Sequence, residues 1–193
     1  LPMLREICDR HNVLLVFDEI ITGMGRTGRM FAAETFGVLP DMICCGKGLA
    51  GGYAPLSALI CRDKIARAFW GDAPANPGFV EGHTFEGNPI SCAAGIACIR
   101  EILDRDLCGN ARAMGDRLRA GLAGMQDKFQ IIGDIRGKGL FLGIELVKDR
   151  ATKERFPTPI GQLIGRRALD NGLLTRFDPH WMAFGPPLVV TAA

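Results

Sequence analysis

The sequence predicts an α/β fold in which helices cover a parallel sheet. Three observations carry that prediction. Val13-Leu14-Leu15-Val16-Phe17 is an apolar, partly β-branched run that ends in Asp18-Glu19, the pattern of a strand buried on both faces. A second short apolar run, Met42-Ile43-Cys44-Cys45, opens directly into Gly46-Lys47-Gly48. Finally, the stretches from about Pro89 to Leu103 and from about Asn110 to Phe129 have the length and apolar content of helices.

Taken in order, residues 1–12 suit the end of a helix, with Leu4, Ile7 and Cys8 on one side. Val13–Phe17 follows as a buried strand. Its acidic end is expected at the carboxyl edge of the sheet, where open α/β folds hold ligands. Thr22–Arg29 contains three glycines and reads as a loop at that edge. Gly37–Asp41 is a turn, Met42–Cys45 a second buried strand, and Pro55–Cys61 a third. The Gly/Pro/Ala-rich segment 71–82 is a loop. Asn88-Pro89 is a helix start, with a side-chain acceptor at the cap and a proline in the first turn. Ile131–Leu146 reads as two strands separated at Gly137 and Gly139, residues 150–158 as a charged loop, 159–171 as a helix, Leu173–Arg176 as a strand, and Phe184–Val190 as a segment ending in a strand. A domain change is expected near residue 105. The chain opens only twelve residues before a core strand and closes still apolar at Val189–Ala193, so both ends are expected to be cut.

Composition narrows the function. The 193 residues are 48% hydrophobic, enough for a substantial core, and 23 basic against 21 acidic residues give a net charge of +2. No global field of that size recruits nucleic acid or a membrane surface. No apolar run is long enough to span a bilayer, and the predicted compartment is the cytoplasm. The seven cysteines are scattered without a Cys-x-x-Cys pair, and the three histidines lack ligand spacing. That excludes a zinc site and a disulfide framework and predicts buried, reduced thiols and no metal.

Four candidate residues emerge from the chain itself. Side chains alternate along a strand, so Asp18 and Ile20 share one face while Glu19 takes the other; a carboxylate beside a branched apolar group suits one edge and one face of a flat ring. The alternative is a strand end whose acids are solvated or cap the next turn. Lys47, flanked by glycines after an apolar strand, is either an amine fit to form a Schiff base or a surface lysine in a flexible turn. Thr84, in Gly82-His83-Thr84-Phe85 ahead of the helix, either joins backbone amides in holding an anion or serves the local turn. A phosphate-binding loop of the Gly-x-x-x-x-Gly-Lys-Ser/Thr kind fails at Asp41 and at Gly48.

Phe17-Asp18-Glu19, Gly25-Arg26-Thr27-Gly28, Gly46-Lys47-Gly48, Gly51-Gly52-Tyr53-Ala54-Pro55-Leu56, Gly82-His83-Thr84-Phe85, Arg136-Gly137 and Pro186-Pro187-Leu188 stand in this order along the chain. Together they resemble the class III pyridoxal-phosphate-dependent aminotransferases over essentially the whole length, with Tyr-Ala-Pro-Leu resembling the omega-amino acid and amine:pyruvate branch. The resemblance implies fold type I, the aspartate aminotransferase-like fold. Residues 1–105 would be the latter part of the large mixed-sheet domain, and 106–193 most of the small C-terminal α/β domain, truncated at its end. It implies pyridoxal 5'-phosphate as cofactor, Lys47 as Schiff-base lysine, Asp18 as partner of the pyridine nitrogen, and Ile20 against the ring. It further implies Thr84 as a phosphate ligand for the neighbouring subunit in a homodimer, and a fifth candidate, Arg176, as the grip on a substrate carboxylate. The activity implied is transfer of an amino group between an omega-amino acid or amine and a 2-oxo acid such as pyruvate. An aminomutase or decarboxylase of the same fold, or a non-catalytic fragment, are the alternatives. Family members are more than twice this length, and their other half carries a Gly/Ser-rich phosphate loop and a stacking aromatic, so this piece alone is expected to be inactive.

Overall fold

The structure, a computed structural model, describes residues 1–70 and 78–192. It divides into two compact units: Leu1–Gly25 with Arg29–Arg105, and Arg26–Gly28 with the chain from Asp106 onward. Most of the predicted 71–82 loop, residues 71–77, lies outside the described residues.

The first unit is built on a three-stranded mixed sheet in the order β1-β2-β3. Helix α1, Pro2–Arg10, starts on a proline whose missing N–H costs a first helical turn nothing. Strand β1, Val16–Asp18, runs parallel to β2, Met42–Cys45, and β3, Ala58–Cys61, runs antiparallel to β2. Strand β1 is shorter than the apolar run predicts, and it is not buried on both faces: Val13, Leu14 and Val16 are 56%, 50% and 45% exposed. The reason lies in what covers the strand: β1 pairs with β2 alone at one edge of the sheet, and among the described elements no helix packs extensively on either of its faces. All four residues of β3 are likewise exposed, and no residue of α1 is buried.

Two short helices went unpredicted: α2, Ala32–Phe36, and α3, Asp63–Ala66. The long helix α4, Pro89–Asp104, is where the sequence puts it, and Asn88 caps it by accepting from Ile90 N and Ser91 N at 3.1 Å each. Gly95 lets α4 lie close to the segment after β2, since a Cβ there would sit 2.6 Å from Leu56 Cδ2 and 3.5 Å from Leu49 O.

The second unit carries an antiparallel sheet in the order β4-β5-β7-β6, with helix α5, Leu107–Lys128, and helix α6, Ile160–Asp170, packed against it. The strands are β4, Ile132–Lys138; β5, Phe141–Leu146; β6, Arg176–Asp178; and β7, Trp181–Phe184. Leu122, Ile132, Leu142, Ile144, Leu146 and Met182 form its core. At roughly 1.5–3 kcal/mol per fully buried large apolar side chain, such a cluster is the main stabilising term of this unit.

The strand predicted at Leu173–Arg176 begins at Arg176 instead, and none forms after Phe184, where Pro186 and Pro187 remove two successive donors. Strand β7 falls in a stretch the pattern did not mark, because Trp181 and Ala183 face away from the core while Met182 and Phe184 face it. Gly137 lies inside β4 rather than in the hairpin turn, at φ 120°, where a Cβ would clash with Phe141 O. All seven cysteines are free as expected, but only Cys45 is buried and Cys61 is exposed. No described helix is long and apolar enough to cross a membrane, and the described residues hold no group of His, Cys, Asp and Glu able to bind a metal.

Candidate functional site

Strand register brings two of the candidates to the same edge. Asp18 closes β1 opposite Cys44, and Lys47 follows Cys45, the last residue of β2, by two positions. Because β1 and β2 are parallel, their carboxyl ends point the same way, and Glu19 N donates to Cys44 O at 2.8 Å to extend the pairing just past Asp18. The carboxylate and the amine therefore leave the sheet from neighbouring strands at one edge. Ile20 lies at this edge as well: a Cβ on Gly46 would sit 3.8 Å from Ile20 Cγ2.

The local backbone explains how these side chains are held. Asp18 is exposed, and its Oδ1 accepts from Ile20 N at 3.0 Å, which fixes the carboxylate over the turn that follows the strand. Lys47 opens a single 3-10 turn, Lys47–Ala50, with φ at 42°. A side chain in the left-handed region costs about 1 kcal/mol or more and persists where surrounding structure imposes it. Here Leu49 and Ala50, both buried, anchor the turn, and Leu49 N donates to Gly46 O at 2.9 Å, so the exposed lysine is carried on a fixed base.

Two carboxylates that sequence reasoning left without a role hold the strands that lead to this edge. Glu19 is 2% exposed and accepts from Ala32 N at 2.6 Å, Ala33 N at 2.8 Å and Thr22 Oγ1 at 3.1 Å. It ties the start of α2 back onto the end of β1, on the face opposite Asp18, as strand alternation requires. Asp41 is 1% exposed at the other end of β2. It accepts from Leu15 N at 3.0 Å and pairs with Arg5 at 2.7 Å, Lys64 at 2.8 Å and Arg62 at 3.6 Å. The Leu15 amide, then Lys64 and Arg5, hold its carboxyl well below the usual carboxylate range despite burial. Asp41 N and Met42 N both donate to Leu15 O, so this cluster pins the register of β1 against β2.

Thr84 is exposed in the turn at 84–87 that leads to Asn88, and among the described residues no hydrogen bond joins it to Asp18 or Lys47. In the same turn His83 Nδ1 lies 3.1 Å from Glu86 Oε1 and lowers the Glu86 carboxyl. Arg176 belongs to the second unit, exposed at the start of β6 with its guanidinium carbon 5.5 Å from the centre of the Trp181 ring. In that unit, Arg26 donates to Leu140 O at 3.3 Å and Pro186 O at 2.5 Å, and burial pushes its guanidinium down from its ordinary value.

The family model for aminotransferase class-III matches residues 1–193. A taurine–pyruvate aminotransferase of Bilophila wadsworthia is 44% identical over 172 residues, covering 89% of this chain and 38% of that protein. An omega-aminotransferase of Caulobacter vibrioides is 37% identical over 190 residues, covering 98% and 42% respectively. Among solved structures, an amine transaminase from an uncultivated Pseudomonas species in its PLP-bound form superposes with a TM-score of 0.90 at 36% identity, covering 98% of this chain and 43% of that one. The chain thus spans about two fifths of the length of the relatives it matches.

Proposed function

The chain belongs to the class III aminotransferase family and has the α/β architecture of its fold type I members, and on that premise we propose that it is the latter part of a pyridoxal 5'-phosphate-dependent transaminase. Its reaction moves an amino group between an omega-amino acid or amine and a 2-oxo acid such as pyruvate. The observation that carries the reading is the exit of Asp18 and Lys47 from neighbouring parallel strands at one sheet edge, with Ile20 beside Gly46. That donor set fits the cofactor chemically: an amine for its aldehyde, a carboxylate for its ring nitrogen, and a branched apolar group for its ring face.

When bound, the cofactor supplies an aldehyde and an electron-accepting ring. Lys47 Nζ would hold it through that aldehyde and, once displaced by the substrate amine, would move the proton between the substrate carbon and the cofactor carbon. Asp18 would keep the ring nitrogen protonated, the charge that makes the ring a better electron sink. Ile20 would pack against the ring. Thr84 would donate its hydroxyl to the phosphate held by the neighbouring subunit of a homodimer, and Arg176 would pair its planar fork with a substrate carboxylate. The compartment is the cytoplasm. The relatives that act on taurine with pyruvate, or that are named omega-aminotransferases, support the donor class.

The test is an assay of the full-length protein with pyruvate and a panel of donors: taurine, short omega-amino acids and simple amines. Alanine formation with at least one of them is expected. Cofactor turnover that yields only carbon dioxide or a shifted amino group would replace transamination with decarboxylation or an aminomutase reaction.

A further inference from the structure

The sheet of the second unit has one face packed on α5 and α6 and one open face, and cross-strand register fixes what stands on the open one. Arg136, Gly143, Ala183 and Arg176 oppose one another in a row across the four strands. The next row on the same face is Asp134, Glu145, Trp181 and Asp178. Arg136 is committed: its guanidinium binds Asp134 at 2.6 Å and Glu145 at 2.9 Å. Arg176 is not. Among the described residues it makes no ion pair, not even with Asp178 two positions along its own strand. Its guanidinium sits instead over the half-buried ring of Trp181.

That contact has a structural cause. Trp181 opposes Asp178 across the β6–β7 pair, which makes it the diagonal neighbour of Arg176, within reach of a long side chain. Gly143 and Ala183 leave room on the Arg136 side, so nothing bulky competes for the guanidinium. On the far side, Thr175 Oγ1 donates to Ala183 O and fixes the strand just before Arg176.

We propose that Trp181 is a positioning residue for Arg176 and that it sets how strongly carboxylate-bearing substrates are bound relative to simple amines. This rests on the reading of Arg176 as the carboxylate grip. A cation held over an aromatic face is restrained without losing its N–H donors, so the fork stays available for a carboxylate while the freedom of its long stem is reduced. Lost binding would fall on substrates with a carboxylate and leave donors without one untouched.

The experiment compares Trp181→Leu, which keeps apolar bulk but no ring, with Trp181→Phe, which keeps a ring, and with Arg176→Ala, all in the full-length protein. Two quantities are read: the dissociation constant of propionate, an unreactive carboxylate, by calorimetry, and KM and kcat for pyruvate and for a simple amine. Removing the ring is expected to raise the propionate constant and the pyruvate KM about two- to fivefold, the range of an exposed cation–π contact. The pyruvate kcat and the amine KM hold, and Trp181→Phe recovers most of the loss. An unchanged propionate constant in Trp181→Leu, alongside a large rise in Arg176→Ala, would overturn the role of Trp181 alone. No rise in Arg176→Ala would overturn both it and the carboxylate-grip reading.

Discussion

Replacing Asp41 by Asn tests whether a buried charge cluster sets the register on which the candidate site depends. The carboxylate is 1% exposed and faces three cations, but these are not equally committed. The side chains of Lys64 and Arg62 are 59% and 37% exposed and can turn to water, whereas that of Arg5 is 16% exposed and would be left with Asp9, at 2.7 Å, as its one carboxylate partner. Breaking a buried pair costs about 3–5 kcal/mol, and with two of the three partners free to resolvate, about 2–3 kcal/mol is expected here. For a chain of this size that is a fall in Tm of about 5–10 °C. The pH dependence carries a sign. The folded-state value of Asp41 is depressed, so its contribution is complete above the unfolded value near 4 and is lost as pH falls below it toward the folded value. The gap between wild type and Asp41→Asn is therefore widest near neutrality and closes below about pH 4. Thermal melts followed by circular dichroism across pH 2.5–7 measure it. A gap under about 1 °C at pH 7, or one that widens in acid, refutes the account. Arg5→Met combined with Asp41→Leu is expected to recover much of the loss, since an apolar pair of similar size leaves no stranded charge.

Two further substitutions probe one unit each. Glu19→Ala strands the amides of Ala32 and Ala33, at about 1–3 kcal/mol each; denaturant unfolding should show a loss of about 2–4 kcal/mol, with Glu19→Gln losing clearly less because one acceptor oxygen remains. Gly137→Ala forces a Cβ into Phe141 O at a φ of 120°; about 3 kcal/mol of destabilisation is expected, read as faster amide exchange along β4 and β5.

Much of the candidate site was legible because the residues proposed for it lie at the ends of strands, where local patterning is strong. Asp18 and Lys47 each follow an apolar run, and parallel pairing alone sends both to one edge. Asn88-Pro89 announced α4 for the same local reason. What the sequence hid depends on partners distant along the chain. Asp41 reads as a turn residue, and nothing local links it to Arg5 or Lys64. Glu19 looks like a second solvated acid until α2 is known to start at Ala32. The apolar strength of Val13–Phe17 implied burial on both faces, but burial is a property of neighbours, and among the described elements no helix packs extensively on β1. Strand β7 escaped notice because its alternation is broken by Trp181, whose ring belongs to Arg176 rather than to the core.

The central claim is that Lys47 is the amine that carries the cofactor. Borohydride reduction of the full-length protein incubated with pyridoxal 5'-phosphate, followed by peptide mapping, tests it directly. The account predicts a cofactor-modified peptide at Lys47 and loss of the Schiff-base absorbance in Lys47→Ala; modification at a different lysine, with the Schiff-base absorbance retained in Lys47→Ala, would contradict it.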